Sequence, residues 1–308
     1  MKKFASIDIG SNTVRLLILE SEGQGDFREI DSVCRITRLG KGMDTENRLA
    51  PGPMETTLTV LEEFRQTCAN HGEIPICAVA TSAVREAENK EEFVRMARER
   101  AGIHIEVIPW EEEAQLTLRG VFWKIPHQNR KILTFDIGGG STEFILSKGD
   151  QVVGSAGTSL GTVRLTEKFI SQHPVPHQDY ENLAAHLQSE LSSVKDRLPA
   201  LRPEIAIGTA GTVTTLAALD RNIYPYDPAK VHGVSLPLDN IQKIQTGLKA
   251  QSIDERLQLK PLERGREDLI IAGIAIVLET LRTFECPSLL VSEYGLREGI
   301  ILKALQVP

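Results

Sequence analysis

Apolar positions along this chain fall into two rhythms. Residues 4–9 (FASIDI) and 14–19 (VRLLIL) are short apolar runs separated by the polar turn Gly10-Ser11-Asn12-Thr13. That spacing predicts strand–turn–strand, not strand–turn–helix. Residues 31–40 continue as a third strand. Within 49–69 the apolar residues Leu58, Leu61 and Phe64 recur at helical spacing. A buried strand over 74–80, a charged helix over 91–100, a strand over 104–108 and a helix over 111–122 follow. The last of these carries acids in its first turn, where the helix dipole favours them.

The rhythm then restarts. Strands are predicted over 131–136, 142–147 and 151–158, with the turn IGGGS between the first two. Helices begin near 162 and 178. A short strand over 204–207 runs into Gly208-Thr-Ala-Gly-Thr212 and a helix. Residues 222–233 hold Tyr, Pro and Asp and read as a long loop. Helices over 238–248 and 266–283, a strand over 288–291 and a helix over 295–305 close the chain. Both halves open as strand–DIG–strand–strand, and the two DIG aspartates, Asp8 and Asp136, lie 128 residues apart. This is the mark of an internal duplication of one α/β unit. The polar stretch KIPHQNR places the boundary near 125, with domains over 1–125 and 126–295.

Length and composition sharpen the picture. A chain of 308 residues, 41% apolar and 25% charged, is long enough for about two globular domains. Its net charge of −7 excludes the usual basic, non-specific nucleic-acid binder. Any polyanion site must therefore be a local focus of donors. The cysteines, Cys34, Cys68, Cys77 and Cys286, make no C-x-x-C pair, and Cys77 sits in an apolar run that suggests a buried thiol. A reducing, cytoplasmic setting is expected. The N-terminus lacks the apolar core of a signal peptide, and the longest apolar run breaks at Glu279, so no membrane span is expected.

The candidate chemistry lies in the glycine turns. In FASIDIGSNT and LTFDIGGGST an apolar strand ends in Asp, Gly follows two residues on, and hydroxyl or amide residues come next. Glycine lets backbone approach a ligand closely, and successive N–H groups in such a turn form an anion cradle. Ser11, Asn12, Thr13, Gly138, Gly139, Gly140, Ser141 and Thr142 are the candidate donors. Asp8 and Asp136 beside a phosphate would repel it unless a cation intervenes, which points to Mg²⁺. The bland alternative is a hairpin with a polar tip, each Asp capping its own turn. The GTAGT turn, with Gly208, Gly211 and Thr212, is a third such turn. Neither a P-loop nor a dinucleotide fingerprint is present.

Duplicated hairpins of this kind resemble those of the actin-like superfamily, where they face each other across a cleft. The ordered set FASIDIGSNTVRLLI, AVATSAVREAENKEEF, EEEA, DIGGGSTEFI, GTAGTVTTLAAL, YPYDPAKVHG and SEYGLREGIIL resembles the exopolyphosphatase / guanosine pentaphosphate phosphohydrolase (Ppx/GppA) family in its short, two-domain form. The resemblance implies an α/β fold of two similar actin-like (ribonuclease H-like) domains around a central cleft, the last helix, 296–308, packing back on the first. It implies Mg²⁺-dependent hydrolysis of terminal phosphoanhydrides of polyphosphate or a guanosine polyphosphate, and a homodimer is plausible.

By that resemblance Glu113, the acid before Ala in EEEA, is the catalytic carboxylate, and Glu143 in GGGSTE is a second acid near the metal or the attacking water. Asp8 and Asp136 help hold Mg²⁺. Arg85 in ATSAVRE, Arg15 beside the first turn, and Arg266 in GREDLIIAG are candidate phosphate ligands, with Arg35, Arg38 and Lys41 as further cations; solvated surface arginines are the bland reading. Tyr224, Tyr226 and His232 read as a structural loop. Two rivals remain: an actin-like ATPase or kinase, and a non-catalytic alarmone-binding sensor.

Overall fold

A computed structural model describes residues 2–23, 26–43, 47–126 and 129–305. The chain divides into two compact units, Met1–Gly120 with Leu296–Pro308, and Val121–Gly295.

The first unit is built on a five-stranded sheet in the order β3-β2-β1-β4-β5. Its strands are β1 (Lys3–Ile9), β2 (Thr13–Gly23), β3 (Asp26–Ile36), β4 (Ile76–Ala80) and β5 (Ile105–Val107). The β1–β2–β3 meander is antiparallel, whereas β4 and β5 join in parallel. Helices α1 (Pro51–Asn70), α2 (Ser82–Glu86), α3 (Lys90–Ala101), α4 (Trp110–Lys124) and, from the chain's end, α12 (Leu296–Ala304) complete it. The unbroken LLIL of β2 is explained by cover on both faces. Leu16 and Ile18 join the core under α1 and α3, while Val79 of β4 packs the other way, with Leu116, Leu296 and Ile300.

The second unit repeats the order as β8-β7-β6-β9-β11 and adds β10 at the far edge. Its strands are β6 (Lys131–Ile137), β7 (Thr142–Lys148), β8 (Gln151–Thr158), β9 (Ile205–Thr209), β10 (Ser235–Pro237) and β11 (Ser288–Val291). Its helices are α5 (Thr162–Phe169), α6 (His177–Arg197), α7 (Gly211–Arg221), α8 (Pro228–Val231), α9 (Leu238–Lys249), α10 (Ile253–Leu257) and α11 (Ile270–Thr283). The central α11 is buried from Ile270 to Leu281, which accounts for the apolar run IIAGIAIVL. The two sheets thus carry the same meander and the same parallel additions. This is the two-domain actin-like fold that the duplicated pattern implied.

Several expectations need correction. The division falls after Gly120, inside α4, rather than after residue 125. Leu116 packs in the first unit, whereas Val121 and Ile125 pack against Ile132 and Ile207 of the second. Of the boundary stretch 124–130, His127 and Gln128 lie outside the described residues. The third strand is Asp26–Ile36, earlier than 31–40. The long loop 222–233 contains α8, capped by the Asp227 side chain accepting from Ala229 N–H. The helix expected from 266 starts at Ile270, because residues 266–269 form turns ahead of it. Cys77 is half-buried; Cys68 and Cys286 are the buried thiols.

Candidate functional site

The first glycine turn caps the β1–β2 hairpin. Gly10 N–H donates to Thr13 O at 3.0 Å, closing it. The turn's carbonyls point into the protein: Ser11 O accepts from Gly40 N–H at 2.8 Å, and Asn12 O accepts from Thr37 and Arg38 N–H at 3.0 Å each. The N–H groups of Ser11 and Asn12 meet no acceptor among the described residues. Asn12 is buried, and neither end of its amide finds a hydrogen-bond partner. Buried unpaired amides are rare and point to a missing ligand or water.

The second turn, between β6 and β7, repeats this arrangement. Gly138 N–H donates to Ser141 O at 2.9 Å. Gly138 O and Gly139 O accept from the first N–H groups of α5, Thr162 and Val163, at 3.0 and 2.8 Å. The N–H groups of Gly139, Gly140 and Ser141 again meet no acceptor among the described residues. In both units, then, the carbonyls are consumed and the amides are left over, which is the polarity of an anion nest. Ser141 is buried there, as is Thr142, whose hydroxyl donates to Leu160 O.

The acids and arginines sort by strand register. Asp8 pairs across the first hairpin with Arg15, and at the matching positions Asp136 pairs across the second hairpin with Glu143. Directly opposed residues share one face of a sheet. The duplication has therefore exchanged a cation for an acid, so the second hairpin sets two carboxylates side by side, with Glu143 only 2% exposed. Asp8 is largely enclosed by protein. Desolvation raises its carboxyl above the ordinary aspartate range, against the lowering pull of Arg15 and Arg297, while Glu298 adds to the rise. Among the described residues, no group of three or more His, Cys, Asp or Glu side chains is placed to hold a metal. The Asp136–Glu143 pair fits a hard cation such as Mg²⁺, which takes one or two carboxylates and fills its shell with water and phosphate oxygens.

Of the three acids opening α4, Glu111 is exposed, Glu112 is half-buried and ion-paired with Lys303, and Glu113 is 5% exposed. Their 100° helical spacing separates their directions. Arg85, in the last turn of α2, donates from Nη1 to Glu113 Oε2 at 2.7 Å and to Ile108 O at 3.0 Å. Its guanidinium lies 4.4 Å from the Trp110 ring centroid, a cation–π contact. Its Nε and Nη2 are buried with no partner, which leaves donors for an anion.

The third turn leads from β9 into α7. Ala210 takes a left-handed φ of 70°, and the N–H groups of Gly211 and Thr212 open the helix, where backbone donors are free by geometry. Arg266 lies flat against this terminus: a Cβ on Gly211 would stand 2.0 Å from Arg266 Nη2. Glu263 holds the guanidinium through Nε at 2.5 Å. Gly208 contributes differently, its carbonyl accepting from Ser292 N–H at 2.8 Å.

Within the first unit the structure therefore gathers Arg85 with Glu113, and Asp8, Ser11, Asn12 and Thr13 with Arg15. Within the second it gathers Asp136 with Glu143 and the GGGST turn, and Arg266 with Gly211. Arg35 is drawn away into an exposed ion pair with Glu63. Sequence reasoning missed Arg297 and Glu298 beside Asp8, and Trp110 beneath Arg85. The flanking SEYGLREG and PWEEEA segments were the available signals.

The sequence model of the Ppx/GppA phosphatase family matches residues 17–307. Exopolyphosphatase 2 of Mycobacterium tuberculosis is 31% identical over 98% of both chains. The crystal structure of the Aquifex aeolicus member of the Ppx/GppA family superposes with a TM-score of 0.84, 37% identity and 99% and 98% coverage of the two chains. An exopolyphosphatase structure from Cytophaga hutchinsonii gives a TM-score of 0.92 at 27% identity, covering 99% of this chain and 98% of that one.

Proposed function

We propose that this chain, which belongs to the Ppx/GppA phosphatase family, hydrolyses the terminal phosphoanhydride of inorganic polyphosphate, of guanosine pentaphosphate, or of both, in a Mg²⁺-dependent reaction. The observation that carries the reading is the matched pair of turns whose carbonyls are consumed and whose amides are free. A polyphosphate is a row of oxyanions, and rows of fixed N–H dipoles bind it with no reorganisation during reaction.

Each unit contributes groups of its own. In the first, the Ser11 and Asn12 amides and the free donors of Arg85 bind and orient phosphate oxygens. Glu113 accepts the proton of the attacking water as its oxygen bonds to the terminal phosphorus. The bridging P–O bond breaks and its electron pair leaves with the shortened chain. Arg85 holds the Glu113 carboxylate in place and keeps the local charge balanced. In the second unit the Gly139, Gly140 and Ser141 amides bind phosphate, and Asp136 and Glu143 would hold Mg²⁺. When bound, that ion supplies charge neutralisation on the phosphoryl oxygens. Arg266 and the α7 terminus add a further anion site.

Phosphate release measured with Mg²⁺ on long-chain polyphosphate, guanosine pentaphosphate and ATP, run beside Glu113→Gln, tests this. General-base loss predicts a fall in kcat of about 10²–10⁴-fold with substrate binding retained. Wild-type turnover by Glu113→Gln would remove Glu113 from the mechanism. Release from ATP alone would favour the ATPase reading, and release from none of the three would leave the sensor reading.

A further inference from the structure

The first unit holds a cavity on the face of its sheet covered by α4 and α12, lined by residues that no step of phosphate hydrolysis uses. Its volume is about 340 Å³, within the range of small-molecule pockets. Cys77 and Val79 of β4 form the floor, and Leu116 of α4 and Ile300 of α12 form the walls. These four belong to one small apolar cluster, which Ile108 and Leu296 complete. It is far smaller than the core under the opposite face of the same sheet. The two helices meet at Gly299, where a Cβ would stand 1.8 Å from Leu116 O. The Lys303–Glu112 ion pair links them again one turn further along α12. Pinned at both points, the helices cannot simply close over the apolar recess, so it stays open as space for a ligand.

The rim sets the chemistry. Glu106 of β5 and Glu112 of α4 stand there with Lys303 of α12. Lys303 Nζ donates to Glu112 Oε1. Among the described residues Glu106 makes no hydrogen bond or ion pair, and Glu112 Oε2 accepts none. Arg119 is felt by Lys303 but does not line the cavity. Two carboxylates against one ammonium leave the rim negative, above an apolar floor. Carboxylates only accept hydrogen bonds, so the partner they lack is a donor, and a cationic one is favoured. A molecule with an apolar body and a protonated amine meets both demands. A phosphate or carboxylate would be repelled at this rim, so the cavity is no extension of the glycine turns. Nor is a bare metal ion served, since no group of three or more ligating side chains is placed to hold one among the described residues.

We propose that the recess between β4, α4 and α12 is a binding site for a small amphiphilic amine, which lays its apolar body on Cys77, Val79, Leu116 and Ile300 and gives its ammonium to Glu106 and Glu112. The site is independent of the phosphohydrolase reading and stands or falls without it.

Cys77 reports occupancy. Its thiol is half-buried on the floor, and burial, with Glu106 nearby, pushes it up, so it alkylates slowly. Cys34 is exposed and serves as a control in the same molecule. The full chain is treated with iodoacetamide at rising concentrations of phenethylamine, phenethyl alcohol or phenylacetate, and each cysteine is followed by peptide mass spectrometry. At about ten times its dissociation constant the amine should slow Cys77 modification about tenfold by mass action, with Cys34 unchanged. The amine should protect at about fivefold lower concentration than the alcohol, and phenylacetate should protect least. Glu106→Gln should bring amine and alcohol within about twofold of each other, each read against the variant's own unprotected rate. Ala304→Phe should fill the mouth and make the Cys77 rate independent of the amine. Glu106 and Ala304 are both exposed, so neither change endangers the fold. Wild-type Cys77 that the amine does not protect, an alcohol or acid that protects as well as the amine, an amine preference that survives Glu106→Gln, or protection that survives Ala304→Phe would each overturn the proposal.

Discussion

Replacing Glu143 by Gln offers the most direct probe of the second hairpin. In the register of β6 and β7, Asp136 and Glu143 are directly opposed, and the buried Glu143 has little solvent to screen it. Opposed residues in an antiparallel pair place their Cβ atoms about 5 Å apart. Two unit charges at about 5 Å and an effective dielectric of about 20 repel by about 3 kcal/mol. Glutamine keeps the shape and one acceptor oxygen while removing the charge. In chelator-treated protein, Glu143→Gln should therefore melt higher than wild type, by on the order of 5–10 °C. Added Mg²⁺ should raise the wild-type midpoint, because a cation bound between two carboxylates stabilises the folded state by mass action. The variant should lose most of that rise, and its phosphate release should fall with it. Scanning calorimetry with EDTA and with MgCl₂ reads all of this. A variant that melts at or below wild type in EDTA, or that keeps the full Mg²⁺ shift, would refute the argument that the opposed acids repel and bind a cation.

Asp8→Asn should also trade activity for stability. The Asp8 carboxyl is raised in the fold, so the folded state disfavours its charged form. The penalty is absent below the unfolded value near pH 4, grows as pH rises through the window up to the raised folded value, and is complete above it. Asp8→Asn should thus melt above wild type at pH 7.5 and lose that advantage towards pH 4, as a pH series of thermal melts would show. Arg256 is fully buried, and it donates to the carbonyls of Leu248, Gln251 and Glu267 and meets His173 Nδ1 at 3.0 Å; desolvation pushes it down to about 10. Arg256→Met strands the carbonyls of Leu248 and Glu267 in buried surroundings at about 1–3 kcal/mol each, and leaves the part-buried Gln251 carbonyl without its donor, so urea unfolding should move to a markedly lower midpoint; an unchanged midpoint would mean water replaces the guanidinium. Gly299 lets α12 lie against α4, since a Cβ there would stand 1.8 Å from Leu116 O. Gly299→Ala should loosen α12 and speed amide exchange in residues 296–304, whereas wild-type exchange would show that the backbone gives way cheaply.

Periodicity and turn chemistry, read along the chain, were enough for the duplicated α/β architecture. Alternation and apolar runs mark β1, β2, β6 and β7; the two DIG turns announce the repeat; β8 and β11 match the structure residue for residue. These features are local. Glycine in a turn and a run of branched residues mean much the same in any context. Short elements escaped, among them α2, α10 and β10, because three to five residues carry too little periodicity to stand out. The motifs likewise marked Asp8, Asp136, Glu113, Glu143, Arg85 and Arg266 as candidates, without saying what each would touch. Tertiary structure decided that Glu113, not its two acidic neighbours, is the buried partner of Arg85, since only packing chooses which side of a helix faces inward. It set Asp136 against Glu143 and Asp8 against Arg15, because register across a hairpin is a property of two strands. It brought Arg297 and Glu298 from the end of the chain to the side of Asp8, and Arg266 onto Gly211. Sequence by itself determined the repeating units and the types of group they carry; the electrostatic environment of each group depends on residues distant in the chain, and only the folded structure supplies those.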